Sequence, residues 1–206
     1  IGTLCSAVNS CRLVAATARG LFEQSAKAWK PIVLPPGAGA PLRLWTPAAD
    51  TSAPILVETP AGLFASGNQG KAWMKNAMPV PTHEVYRLAA SGNILYLATA
   101  RGLYRFVGGN WQISNRGIES ATVNTIAVHP GDARTAFVAQ FGKIYRSIDA
   151  GSSWNELKTE ELAGASVAGL LFPGGERNQL LALTASRGVF VLNPENGTAP
   201  AASSSQ

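Results

Sequence analysis

The chain is poor in the residues on which metal, redox and membrane proteins depend. It holds two cysteines and two histidines in 206 residues. Their spacing resembles no zinc motif, so neither a metal site nor a cofactor is expected. Charged residues make up only 14%, and the basic ones are scattered. A dense nucleic-acid footprint is therefore not expected. The apolar runs are too short and interrupted to span a bilayer, and no amphipathic basic helix offers a membrane anchor. Helical periodicity is nearly missing; its one candidate, residues 159–166, is short and rich in small residues. No signal peptide is visible, and the start at Ile1 reads as processed or trimmed.

Turn chemistry, by contrast, is plentiful, with 21 glycines and 13 prolines. The most informative stretch is Ser147-Ile148-Asp149-Ala150-Gly151-Ser152-Ser153-Trp154. It follows a short apolar strand, Lys143 to Arg146. An Asp side chain can accept the amides of the turn it opens. Gly151 can take a positive φ, and Trp154 has a ring to bury and one N–H to satisfy.

Weaker copies of these surroundings recur. Thr17-Ala18-Arg19-Gly20-Leu21-Phe22 resembles Thr99-Ala100-Arg101-Gly102-Leu103-Tyr104, and Thr59 to Phe64 is a third version. Ala139 to Tyr145 and Thr184 to Phe190 are a fourth and a fifth. The aligned glycines are Gly20, Gly62, Gly102, Gly142 and Gly188, spaced by 42, 40, 40 and 46 residues. Trp29, Trp73, Trp111 and Trp154 follow four of them. A period of about 40 residues with strand–turn chemistry predicts a repeat array or propeller.

Each unit reads as four short strands. In the fourth they are Val123 to Val128, Thr135 to Ala139, Lys143 to Arg146 and Trp154 to Leu157, with His129 to Asp132 as the first turn. The fold expected is all-β, a β-propeller of four-stranded antiparallel blades, with five units countable. The units span 3–33, 41–76, 85–114, 123–157 and 167–193, forming a single domain over 1–193 with a flexible tail at 194–206. The fifth unit stops after Val189 to Leu192 without a Trp-bearing outer strand, which fits either a poor last strand or part of a larger propeller.

The pattern resembles the BNR or Asp-box propellers, WD40/YVTN-like scaffolds in architecture. These include sialidases, sortilin-type receptor domains, glucan hydrolases and photosystem II assembly factors. The phrase Ile144-Tyr145-Arg146-Ser147 leading into the box is typical of that group. One box is intact, through Ser147, Asp149, Gly151 and Trp154. Ser66 to Trp73 keeps its length with Asn68 in place of Asp, together with Gly70 and Trp73. The resemblance implies that both boxes are structural staples lying away from the ligand face. It also implies an exported, secreted or periplasmic, setting.

In such a blade the second-to-third strand loops share a face with the loops between blades. Arg19, Arg101 and Arg187 occupy one position there, just before the aligned glycine, and Arg43 and Arg87 fall near the same rim. The net charge is +5, with 11 arginines to 6 lysines. Arginine favours planar, two-pronged recognition of carboxylate and phosphate. These five residues are the candidate ligand-binding set; the competing reading is a repeated turn residue whose stem packs on a neighbour.

No catalytic residue is assigned. Glu58, Glu84, Glu119, Glu160 and Glu161 are loop carboxylates outside any catalytic phrase, and Tyr86-Arg87-Leu88 is only distantly similar to the sialidase arginine motif. His83 and His129 read as structural. Asn196-Gly197-Thr198 fits the glycosylation pattern. Cys5 and Cys11 flank the first turn, as a cross-strand bridge or as two buried thiols. The function expected is a non-enzymatic scaffold binding a protein or an anionic or glycan ligand. The alternative is a sialidase- or glucanase-like glycoside hydrolase.

Overall fold

The computed structural model describes residues 2–5, 11–25, 28–46, 54–76, 78–91, 94–108, 110–119, 122–162 and 164–197. The first sheet contains β1 (Gly2–Cys5), β2 (Cys11–Thr17), β3 (Gly20–Ser25) and β4 (Ala28–Ile32). The second contains β5 (Arg43–Trp45), β6 (Ile55–Thr59), β7 (Gly62–Ser66) and β8 (Met74–Asn76). The third contains β9 (Val85–Ser91), β10 (Ile94–Thr99), β11 (Gly102–Val107) and β12 (Asn110–Ile113). The fourth contains β13 (Thr125–Val128), β14 (Ala136–Gln140), β15 (Lys143–Ser147) and β16 (Asn155–Leu157). The fifth contains β17 (Val167–Leu171), β18 (Leu180–Thr184) and β19 (Val189–Leu192). Within each sheet the strands follow sequence order. This is the all-β, blade-by-blade architecture of a β-propeller.

The expected strands of the fourth unit shift by two residues or fewer at their ends. The segment 159–166 contributes only a single 3-10 turn, Glu160–Leu162, whose Leu162 is fully buried. The fifth sheet has three strands among the described residues. Cys5 sits opposite Cys11 in the β1–β2 register. Their side chains, and so the question of a bridge, lie outside the described residues, as do Thr198 and the tail after it.

The chain divides into two compact units, Ile1–Thr82 with Ala90–Asn93, and His83–Ala89 with Ile94–Gln206. In the first, Val14 and Leu21 of the first sheet meet Ile55 and Val57 of the second in one apolar layer. In the second, two layers separate three sheets. Tyr96, Ala98 and Leu103 meet Ile126, Ala136, Val138 and Tyr145 between the third and fourth sheets. Phe137, Ala139 and Ile144 meet Val167, Leu170 and Ala182 between the fourth and fifth.

That layering explains why second strands lack polar alternation. All five residues of β14 are buried, because odd positions pack on one neighbour and even positions on the other. A strand covered on both faces reads as a continuous apolar run. Full burial of one such side chain as Phe137 contributes roughly 1.5–3 kcal/mol. The outer β16 instead exposes Asn155 and Glu156 and buries only Leu157.

In the second unit, inter-sheet linkers are stitched to the second-to-third strand turns. The amide of Val123 donates to Thr99 at 3.0 Å, Val167 to Phe141 at 2.8 Å, and Ala185 to Ser166 at 3.0 Å. These loops therefore share one end of the sheets. The turn after β15 lies at the other end of that strand.

Candidate functional site: the second-to-third strand turns

The turns are built by the threonine that opens four of the five aligned copies. Thr17, Thr59, Thr99 and Thr184 each donate a hydroxyl to the carbonyl of Gly20, Gly62, Gly102 and Gly188. Each hydroxyl oxygen also accepts the amide of the residue before the glycine: Arg19, Ala61, Arg101 or Arg187. The distances run from 2.7 to 3.2 Å. The glycines need the freedom, with φ between 76° and 132°. A hydroxyl turn of this kind fixes the backbone of the preceding residue. It thereby holds three arginines at one position on three sheets. The signal was present in the sequence as Thr three or four residues before each glycine.

The fourth sheet departs from this plan. Its turn is Gln140-Phe141-Gly142, and Phe141 takes φ 53°, a left-handed conformation that is a true outlier for an aromatic residue. Phe141 is 58% exposed. Gln140 is buried, donates to the Thr122 carbonyl at 2.8 Å, and anchors the turn. In the second unit the residues before the aligned glycine are thus Arg101, Phe141 and Arg187, on consecutive sheets.

The candidate arginines have unequal surroundings. Arg43 pairs with buried Glu58, Nε to Oε2 at 2.5 Å and Nη2 to Oε1 at 3.3 Å. Nη2 also donates to the Thr82 carbonyl at 2.7 Å, and the guanidinium lies 5.5 Å from the Trp45 ring. Arg101 is exposed, yet clasped by Glu84 at 2.6 and 2.8 Å. Arg187 donates to the Leu162 carbonyl at 3.0 Å and stacks 5.5 Å from Phe190. The guanidinium groups of exposed Arg19 and Arg87 have no hydrogen-bond partner among the described residues. Arg19 lies in the first unit and Arg87 in the second.

The loop carboxylates are mostly engaged. Glu58 and Glu84 hold the arginines just named. Both oxygens of Glu119 accept from Lys143 Nζ at 2.9 Å, and Glu156 accepts from the same nitrogen at 3.1 Å. These two partners push the Lys143 pKa up. Glu160 is exposed, and the Glu161 side chain lies outside the described residues. His83 is open to solvent, 3.9 Å from Glu84. His129 accepts the Gly131 amide at 3.1 Å, reaches the Arg177 carbonyl at 3.1 Å and packs edge-on to Phe172. Among the described residues, no group of three His, Cys, Asp or Glu side chains is placed to hold a metal ion. Likewise, no described helix is long and apolar enough to cross a membrane.

At the other end of β15, the Asp149 carboxylate gathers its own turn. Oδ1 accepts the Ser153 amide at 2.9 Å and the Ser147 hydroxyl at 2.8 Å, and Oδ2 accepts the Ser153 hydroxyl at 2.6 Å. Ser147 Oγ in turn accepts the Gly151 amide at 2.9 Å. Trp154 is buried and donates Nε1 to Ser114 Oγ at 3.2 Å, and its amide donates to Arg116. The turn is thereby fastened to the third sheet. Asn68 repeats the scheme with one oxygen. It accepts the Ala72 amide at 2.7 Å and the Ser66 hydroxyl at 3.0 Å, while Gly70 donates to Ser66 at 2.7 Å and Trp73 Nε1 to Val33 at 3.0 Å.

Burial is the largest influence on Asp149 and raises its pKa. The hydrogen bonds from Ser153, Ser147 and Ser152 together outweigh it, leaving a value of about 2. A carboxyl group depressed in the folded state stabilises the fold fully above its unfolded value of about 4. That contribution is lost as pH falls toward 2. Asp149→Asn keeps the Oδ1 acceptor, as Asn68 does, but loses the charge and the Oδ2 acceptor. It is expected to cost about 1 kcal/mol at pH 7. It is also expected to flatten the stability loss between pH 4 and 2. Urea unfolding at pH 7 and 2.5 measures both, and an unaltered acid limb in the variant would contradict this assignment.

No protein-family model matches the chain, and no curated protein matches it. Solved structures do. A GH74 enzyme of Niastella koreensis is similar over 92% of this chain at 16% identity and TM-score 0.61. The extracellular domain of the putative one component system BT4673 of B. thetaiotaomicron is similar over 96% at 18% identity and TM-score 0.62. YCF48 from Cyanidioschyzon merolae is similar over 87% at 13% identity and TM-score 0.57. This chain spans 35%, 27% and 62% of those three chains, respectively. At these identities the likeness is one of fold: the chain is a β-propeller module, and its likeness extends across an enzyme, an extracellular domain and YCF48.

Proposed function

We propose that the chain is a non-enzymatic propeller module that binds an acidic protein partner through its second-to-third strand turns. The observation that carries this reading is Phe141. A left-handed conformation costs an L-residue about 1–2 kcal/mol, and here it holds a largely exposed aromatic ring at the position of Arg101 and Arg187. Strain at an exposed position points to use rather than to packing. An aromatic anchor between guanidinium groups is the composition of binding hot spots. Glycoside hydrolysis needs two carboxyl groups about 5–9.5 Å apart across one bond. Glu58, Glu84 and Glu119 are each occupied by a cation, which favours binding over bond cleavage.

Residues 1–193 act in this reading as one propeller domain, with 194–206 as a tail. The turns at Ser66 to Trp73 and Ser147 to Trp154 are Asp-box staples, which their matching hydrogen bonds support. An exported setting is supported by the extracellular BT4673 domain among the similar folds.

Fluorescence anisotropy with a labelled peptide of alternating Glu and Tyr tests the reading. The triple variant Arg101→Gln/Phe141→Gly/Arg187→Gln is expected to bind at least tenfold more weakly, about 1.4 kcal/mol. Phe141→Gly alone is expected to weaken binding while its unfolding midpoint stays level or rises, because glycine accepts φ 53° freely. Equal binding by folded wild-type and triple variant would overturn the proposal.

A further inference from the structure

Arg19, the first-sheet counterpart of Arg101, stands over a surface hollow of about 310 Å³ in the first unit. The turn Ala18–Gly20 forms one side of it. Leu21, Phe22, Pro31, Ile32 and Leu34 supply the apolar part of a lining of mixed polarity. Leu21 and Ile32 are buried and belong to the core layer between the first two sheets, so this lining is rigid. The Arg19 amide is held by Thr17 Oγ1 at 3.1 Å, which fixes the base of the side chain beside the opening.

The charge at this hollow is unmatched among the described residues. Arg43 and Arg101 each have a glutamate within 2.6 Å, and Arg187 has a carbonyl. Among the described residues Arg19 has no such group, and the lining contributes no acidic side chain. The hollow is open to solvent, and its volume of about 310 Å³ lies at the small end of ligand clefts, roughly 300–1,000 Å³, enough for a small ligand held on one side. Apolar walls with one or two placed polar groups are the usual make-up of a small-ligand site. A guanidinium fork at the mouth selects a carboxylate.

We propose that this hollow binds a carboxylate carried on a short apolar body, with Arg19 taking the carboxylate and Phe22, Pro31 and Leu34, which keep exposed surface, the body. The inference rests on the reading of these turns as ligand-facing and gives the first of them a ligand class. A free aryl-alkanoic acid and the carboxy terminus of a peptide ending in an apolar residue share this chemistry.

Isothermal titration of the full chain with 4-phenylbutyrate, its primary amide, and an acetylated Gly-Ser-Leu peptide as acid and as amide separates the outcomes. At least one acid is expected to bind ten times or more tightly than its amide. Tighter binding by the peptide acid identifies a carboxy terminus as the source, and tighter binding by phenylbutyrate identifies a free organic acid. Arg19→Gln is expected to erase the preference for acid over amide. Ala40→Trp, at an exposed rim position of the hollow, is expected to block both ligands without entering the core. Equal binding of acid and amide overturns the proposal, as does an acid preference that survives either substitution in a folded protein. The acidic-peptide test uses Arg101, Phe141 and Arg187 of the other unit, so either reading can fail while the other stands.

Discussion

Trp154→Ala is expected to lower unfolding stability by roughly 3–5 kcal/mol, the range for removing a buried aromatic side chain. The indole is 2% exposed and belongs to the layer between the third and fourth sheets. It also donates to Ser114 Oγ, which itself donates to the Gly151 carbonyl. Truncation therefore opens a cavity and loosens the link between the box turn and the neighbouring sheet. The site cannot close around the gap. Gly151 already lies against the Tyr96 ring, where an added Cβ would come within 2.8 Å. At Gly117 an added Cβ would fall within 2.0 Å of the Trp154 carbonyl, so the backbone on that side is close-packed too. Trp73 offers the comparison, because it repeats the hydrogen bond from a half-buried position. Trp73→Ala should cost about half as much, in proportion to the area removed from water. Urea unfolding midpoints of the two variants decide. Equal losses would mean that the indole hydrogen bond, and not burial, governs both sites. Trp154→Phe restores most of the volume and should recover more than half of the loss.

The fold was legible because its signals are local and repeated. The aligned glycines, the trailing tryptophans and the short apolar runs pointed to five mostly four-stranded antiparallel sheets, as observed. Each of those signals reports a turn or a strand whose physics is settled within about ten residues. The lack of a tryptophan after Gly188 set the fifth unit apart in the sequence, and among the described residues its sheet has three strands. The state of the arginines was not legible. Glu58 and Glu84 looked like free loop carboxylates, and Arg43 and Arg101 like open forks. What joins them is antiparallel register and a linker crossing. Arg43 pairs directly with Glu58 across β5 and β6. Glu84 meets Arg101 because its carbonyl also holds the Ala100 amide at 2.9 Å. Neither partner is implied by composition or period. The Phe141 conformation was hidden as well, because Phe141 before Gly142 reads as one more variant of the repeated turn. Its meaning appears only once φ is known.

Arg43→Met is expected to cost about 3 kcal/mol. The Glu58 side chain is only 3% exposed, whereas that of Arg43 is 38% exposed. Removing the cation leaves a buried carboxylate whose compensating charge is gone. Breaking a buried pair from one side costs about 3–5 kcal/mol, while replacing both partners is often close to neutral. The exposed flank of Arg43 lets some water in, so the lower end applies. Methionine keeps an apolar stem beside Trp45, and the loss then reports charge rather than packing. The double variant Arg43→Met/Glu58→Gln separates the two accounts. If the stranded carboxylate is the cause, neutralising it should return at least half of the lost stability. A double variant no better than Arg43→Met would instead assign the loss to the hydrogen bond from Nη2 to the Thr82 carbonyl. In that case Arg43 would act mainly by holding the linker that leads into the 3-10 turn Thr82–Glu84. A loss below about 1 kcal/mol in the single variant would place the pair with weak surface salt bridges.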